Sequence, residues 1–141
     1  MKKLVYLSGR MDGVSVDEGN LWRIEAQKVL EEAGFNVYNP YTGLPLDKKA
    51  HEGCTPNEVF HKDIYYLDKS DIVLVNLMMP ETIKSKEAPF FTIGEMYLAH
   101  RDRKPIVCYS NPFQGRAGYE AIVSKSLKTL EESLDYIIKN Y

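Results

Sequence analysis

Short apolar runs alternate with helical periods along this chain, and this alternation constrains the fold more than any single motif does. The runs have the length of buried strands, and they are KLVYLS (3–8), FNVYN (35–39), DIVLVNL (71–77), PIVCYS (105–110) and a shorter candidate near 121–127. Most of the segments between them carry apolar residues at the three- and four-residue spacing of amphipathic helices. Because strands that alternate with helices are typical of β/α units around a parallel sheet, the sequence predicts an α/β sandwich.

Capping patterns indicate where the first and last helices begin. Ser15 lies three residues before Glu18, and Thr129 lies three residues before Glu132, which is the spacing of a capping box. The first helix is expected to end at Gly34 and to bury Trp22, Ala26, Val29 and Ala33. The last helix is expected to bury Leu130, Leu134, Ile137 and Ile138. Two further helices are predicted over 57–70 and 88–101.

Length and composition restrict the class of protein. The chain has 141 residues, 44% of them hydrophobic, which suits one domain over residues 1–141 with an ordinary core. The formal net charge is −2 and the Lys and Arg residues are scattered, so no basic patch favours a nucleic-acid polymer or a membrane as partner. No apolar run approaches the roughly 18 residues of a membrane span, and the contexts of Cys54 and Cys108 suggest free thiols. We therefore expect a cytoplasmic protein that binds a small molecule.

Two carboxylates lie on helix faces that should be buried. On a helical wheel of roughly 100° per residue, Glu95 falls between Phe91, Leu98 and Ala99. Asp63 lies in an equally apolar arc, whose other members are Val59, Phe60, Ile64 and Leu67. A lone carboxylate at such a position is usually a boundary residue, but two of them favour a shared polar cleft, since buried charge is costly without partners. Paired carboxylates suit the chemistry of a glycosidic bond, where one meets the anomeric carbon and the other handles the proton of the leaving group.

The end of the first strand is the expected place for that cleft. In a doubly wound sheet, ligands bind beyond the carboxyl ends of the strands. The first strand ends in YLSGRMDG, where Ser8, Gly9 and Gly13 allow a close approach of the backbone, although such residues more often form a plain β-to-α turn. Tyr6 is either a core residue or a hydroxyl that reaches the cleft.

Three segments carry a resemblance to a known family. VYLSGRM near the start, HKDIYYLDKSDIVLVNL in the middle and TIGEMYLAHRDRKPIV after it resemble the nucleoside 2-deoxyribosyltransferase superfamily, which includes 2'-deoxynucleoside 5'-monophosphate N-glycosidases. The likeness covers roughly residues 3–110. It implies a flavodoxin-like three-layer sandwich with a five-stranded, mostly parallel sheet, and a homodimer or higher homo-oligomer. It also implies that Glu95 is the nucleophile, Asp63 the acid/base group, and Tyr6 the hydroxyl that positions the glutamate.

The chain departs from the family's pattern near the glutamate. Thr92 is in step with the family, but Phe91 stands where members commonly have glycine, and Pro89 stands where the 5'-phosphate hydrolases have serine. A bound phosphate would therefore need other donors, and the candidates are Ser8, Gly9, Arg10 and Ser85. The transferases often complete the site with an asparagine from a neighbouring subunit, a part that Asn111 or the segment QGRAGYE is placed to play.

The expected reaction is a double displacement on a nucleoside or its 5'-monophosphate. Glu95 attacks C1' while Asp63 assists departure of the base, and water or a second base then takes the sugar. The N-terminal end of its helix is expected to favour an ionised Glu95. Nothing in the sequence requires a metal or an organic cofactor, and His51, Cys54 and His61 match no common spacing of metal ligands. The alternative is a non-catalytic nucleotide-sensing module, which would need neither carboxylate.

Two long loops predict a shared site between subunits. The segments 40–56 and 78–89 flank the expected cleft. Their apolar residues, which are Leu44, Leu46, Met78 and Met79, are many for loops that only face water. We therefore expect a homodimer in which these loops or NPFQGRAGYE meet the partner's cleft, with Tyr41 or a methionine offered to the base.

Overall fold

The structure is a computed structural model that describes residues 1–11, 13–42, 55–79 and 89–141. Its strands are β1 (Leu4–Gly9), β2 (Asn36–Tyr38), β3 (Ile72–Asn76), β4 (Ile106–Tyr109) and β5 (Lys125–Leu127). Its helices are α1 (Val16–Glu32), α2 (Pro56–Lys69), α3 (Phe90–Arg101), α4 (Ala117–Ile122) and α5 (Leu130–Asn140). Each strand lies at the apolar run that predicted it, and the predicted α/β class is confirmed.

The strands form a five-stranded sheet in the order β2-β1-β3-β4-β5. Every strand pair among the described residues is parallel, so the sheet expected to be mostly parallel is entirely so. From β1 the chain crosses to β2 on one side and later to β3 on the other, which is the flavodoxin-like order. The carboxyl end of β1 therefore lies at the point where the strand order reverses.

Helices cover both faces of the sheet. Successive side chains of a strand point to opposite faces, so Val5 and Leu7 pack toward α1 and α5, whereas Tyr6 packs toward α2 and α3. Leu30 of α1 and Ile137 of α5 close the first core. The second core is closed by helix residues Leu67, Met96, Ala99 and Tyr119. The expected three-layer sandwich is thus confirmed.

The predicted capping residues begin their helices. Ser15 accepts a hydrogen bond from the Glu18 backbone N–H at 3.1 Å, and Thr129 accepts one from Glu132 at 3.2 Å. In α5, Leu134 and Ile137 are buried as expected and Leu130 is half-buried. Ile138 was expected to be buried but is 40% exposed, because it lies one position beyond the buried stripe.

Helix α1 buries a different face from the predicted one. Its buried residues are Gly19, Asn20, Arg23, Ala26 and Leu30. Of the predicted set only Ala26 is buried, while Trp22 and Val29 are half-buried and Ala33 is exposed. The prediction was wrong because it assigned the apolar positions to the core and left Arg23 outside, whereas backbone carbonyls satisfy this guanidinium inside the fold.

We expect Gly19→Ala to destabilise the fold by about 1–3 kcal/mol, even though alanine favours helices over glycine by about 1 kcal/mol. A Cβ at position 19 would lie 2.1 Å from the Tyr41 hydroxyl oxygen and 3.0 Å from Cζ, and that ring is buried. The matched control is Gly94→Ala in α3, where a Cβ would meet nothing within 4 Å. Urea unfolding should show a lower midpoint for the first variant and an equal or higher one for the second. Equal midpoints for both variants would contradict the packing role of Gly19.

Candidate active site

Glu95 lies buried in α3 with both carboxylate oxygens held by hydroxyl groups of β1. Tyr6 donates its hydroxyl hydrogen to Oε2 of Glu95. Ser8 donates to Oε1 across 3.1 Å. Tyr6 and Ser8 are two positions apart on one strand, so both side chains face α3. The carboxylate is therefore oriented by donors from a rigid element next to the switch in strand order.

Asp63 lies in the second turn of α2 and is held by a tyrosine of β2. Its Oδ1 accepts a hydrogen bond from the Tyr38 hydroxyl at 3.1 Å. Tyr38 is the register partner of Tyr6, and the two rings stack with centroids 5.3 Å apart. The structure thus brings both carboxyl groups to one cluster of hydroxyls and rings at the ends of β1 and β2.

Sequence reasoning missed Tyr38. Pairing β1 with β2 in parallel would have revealed it, because this register places Tyr38 beside Tyr6. Nothing in the segment FNVYN by itself distinguishes this tyrosine from an ordinary core residue.

Burial weakens the acidity of both carboxyl groups. It raises the pKa of Glu95 to about 7, although the hydrogen bonds from Tyr6 and Ser8 oppose the shift and the charge of Asp63 adds to it. Burial likewise raises the pKa of Asp63 to about 6, against the hydrogen bond from Tyr38. The helix N-terminus was expected to keep Glu95 ionised, but this residue lies in the second turn of α3, where the helix dipole has largely faded.

Both tyrosines keep their protons. Burial is the main reason that the pKa values of Tyr6 and Tyr38 lie above the ordinary value for tyrosine, and the neighbouring carboxylates raise them further. A tyrosine that stays protonated donates to its carboxylate across the neutral range. Each carboxyl group is therefore held by a neutral donor.

Arg23 is a second residue that the sequence analysis missed. It is fully buried in α1, where its guanidinium donates to the carbonyl oxygens of Gly19 and of Gly9, the latter at 2.8 Å. It lies over the rings of Trp22 and Tyr41, and within the described residues it forms no ion pair with a carboxylate. Its charge lowers the pKa values of both Glu95 and Asp63, so this cation acts on the carboxylates from the opposite face of the sheet.

The predicted glycine at the end of β1 has a packing role in the fold. A Cβ on Gly9 would lie 2.8 Å from a ring carbon of Trp22 and 3.3 Å from a guanidinium nitrogen of Arg23. The adjacent Arg10 is half-buried, and its Nη2 donates to the sulfur of Met79 at 3.7 Å. The close approach at Gly9 is therefore to the protein's own side chains.

The remaining predicted binding residues lie at different depths. Thr92 is buried one turn before Glu95 in α3. Asn111 is exposed after β4, and no hydrogen bond between described residues joins it to the carboxylate cluster. Phe91 was expected on the buried face of α3 but is 46% exposed, and its ring contacts that of Phe60 in α2 with centroids 5.3 Å apart.

The loop residues that were expected to contact the nucleobase, which are Tyr41 and the methionines, have other surroundings. Tyr41 is buried and its ring lies against Arg23, so it presents no flat surface to solvent. Met78 and Met79 are half-buried and pack against the two cores. Leu44, Leu46 and Ser85 lie outside the described residues.

The structure offers no alternative centre in the parts it describes. There, no group of His, Cys, Asp and Glu side chains is arranged to hold a metal ion, while His51 and Cys54 lie outside those parts. Cys108 is a free, buried thiol whose pKa burial raises to about 12, which suits packing better than nucleophilic attack. None of the described helices is long and apolar enough to cross a membrane.

The fold and the site together define a class of protein. Its members have a flavodoxin-like sheet, and near the point where the strand order reverses two carboxylates accept hydrogen bonds from hydroxyl groups. Solved structures share this fold. A 2-deoxyribosyltransferase from Leishmania mexicana matches with a TM-score of 0.72 and 14% identity, covering 99% of both chains. One from Bacillus psychrosaccharolyticus matches with a TM-score of 0.66 and 16% identity, covering 98% of this chain and 91% of the other.

A third solved structure differs in activity. The CMP N-glycosidase BcmB of Clostridium botulinum matches with a TM-score of 0.57 and 14% identity, covering 99% of this chain and 100% of the other. No protein-family model and no curated protein matches the sequence. At these identities the likenesses show a common fold.

Proposed function

We propose that this chain belongs to the nucleoside 2-deoxyribosyltransferase superfamily and cleaves or transfers the N-glycosidic bond of (deoxy)nucleosides or their 5'-monophosphates. The observation that carries the proposal is Glu95, a buried carboxylate with Tyr6 and Ser8 on its two oxygens and Asp63 in the same cluster. The activities of the solved 2-deoxyribosyltransferases and of the CMP N-glycosidase support glycosyl chemistry in general.

The proposed reaction forms and then breaks an ester on Glu95. An oxygen of Glu95 attacks C1' as the bond from C1' to the base nitrogen breaks, and the electron pair of that bond leaves with the base. Asp63 supplies the proton that the departing base needs. In the second step, water or another base attacks C1', returns the carboxylate of Glu95, and gives its proton to Asp63.

Since the pKa of Glu95 is the higher of the two, the resting pair carries its shared proton mainly on Glu95. With pKa values of about 6 and about 7, the two carboxyl groups hold one proton between them over part of the neutral range. The reaction needs the less populated form, with the negative charge on Glu95, where two hydroxyl groups already donate, and the proton on Asp63. Nothing in the proposed steps requires a metal or an organic cofactor.

We also propose that residues 1–141 act as one domain in a homodimer. Phe90 and Phe91 are 88% and 46% exposed at the start of α3, and large exposed rings beside a site are typical of a surface that a partner covers. Light scattering at low micromolar concentration tests the assembly, and a fully active monomer would contradict a shared site.

Incubation with a panel of substrates tests the proposed reaction. Nucleosides and 5'-monophosphates, each with and without a second free base, should yield free base or an exchanged product that chromatography resolves. A hydrolase releases base in both conditions, whereas a transferase produces the new nucleoside only when the second base is present. Tight binding of these ligands with no turnover of any would support the sensing module instead.

A further inference from the structure

We propose that Tyr38 is a positioning residue for Asp63, which sets the orientation of this carboxyl group as Tyr6 does for Glu95. The inference rests on the proposed function for its catalytic meaning, but the Tyr38–Asp63 arrangement itself can be measured without turnover.

The two tyrosine–carboxylate pairs repeat one arrangement. In each, a strand tyrosine donates to a carboxylate on a helix of the same layer, with Tyr6 on Glu95 and Tyr38 on Asp63. The strands are neighbours and the tyrosines are register partners, so the two hydroxyl groups approach the carboxylates side by side.

Stacking restricts the position of the Tyr38 ring. It lies against Tyr6 at 5.3 Å between centroids and against Tyr66 at 4.0 Å, with interplanar angles of 29° and 14°. Tyr38 is only 7% exposed. A ring held on two sides has little freedom to move its hydroxyl away, so the hydrogen bond to Asp63 restrains the carboxylate at little further cost in side-chain entropy.

The hydrogen bond has a defined chemical consequence. It engages Oδ1 of Asp63, which leaves Oδ2 for proton exchange with the departing base. A neutral donor also favours the ionised carboxylate, so its removal raises the pKa of Asp63 further. The other charges that act on the pair are Lys62 of α2, Arg23 of α1 and Glu95 of α3.

The test compares Tyr38→Phe with Tyr65→Phe. The first variant keeps the stacked ring and removes the hydroxyl, whereas the second makes the same change at a side chain of α2 that is 57% exposed. Titration of the Asp63 side-chain carboxyl by 13C NMR, assigned by its loss in Asp63→Asn, should show a pKa about one unit higher in Tyr38→Phe only. An unchanged titration in Tyr38→Phe would overturn the proposal.

Kinetics separate positioning from a purely structural role. If the protein turns over a nucleoside, kcat in Tyr38→Phe should fall about tenfold at neutral pH, and the limb of the pH–rate profile that reports Asp63 should move upward. The same substitution made on Asp63→Asn should cause no further loss, because its target is gone. An equal loss in both backgrounds would contradict the inference. If no substrate is turned over, the proposed reaction fails while the NMR titration still decides whether Tyr38 holds Asp63.

Discussion

Glu95→Gln should lose turnover by about 10³-fold or more while the protein remains folded. A neutral amide cannot form the glycosyl ester, yet it has nearly the size of the carboxylate that Tyr6 and Ser8 now hold. Release of free base or exchange product, followed by chromatography, measures the loss. Near-normal turnover of a substrate that the unchanged protein cleaves would rule out Glu95 as the nucleophile.

The loss of turnover in Glu95→Gln should not be accompanied by a loss of stability. In the folded state the pKa of Glu95 is raised from 4.5 to about 7, so its contribution to stability is complete below pH 4.5 and is lost as the pH rises through 7. At pH 8 the Gln variant avoids the burial of that charge, and its urea midpoint should be no lower than that of the unchanged protein. The control is Glu32→Gln at the exposed end of α1, which should alter neither property.

Asp63→Asn should cost about 10² to 10⁴ in rate with poor leaving bases and much less with good ones. The amide cannot donate the proton that a poor leaving base needs, whereas a base that departs easily needs little help. Turnover of a series of nucleosides with bases of increasing acidity measures this dependence. Asp68→Asn, an exposed change on the same helix, is the control.

The outcome for Asp63 distinguishes two roles. A loss that grows as the base becomes a poorer leaving group identifies general acid catalysis. A loss of equal size for every base would instead indicate that Asp63 only maintains the structure of the cluster around Tyr38.

The fold was largely predictable because its signals are local. The length of each apolar run and the spacing within each helix depend only on neighbouring residues. The caps at Ser15 and Thr129 are likewise recognised from residues within four positions of each other. The face of α1 was mispredicted because hydrophobic patterning ranks arginine as exposed. In the fold, the carbonyl of Gly9 from a distant strand and that of Gly19 receive the guanidinium of Arg23.

The sequence by itself determined that Asp63 and Glu95 lie on apolar helix faces, because helical periodicity assigns a residue to a face without reference to the rest of the chain. Only the tertiary structure decided what meets them there. Tyr6 and Glu95 are 89 positions apart, and Tyr38 and Asp63 are 25 apart. Such contacts depend on strand order and register, which arise when parallel strands pair through crossover helices and bring distant segments side by side.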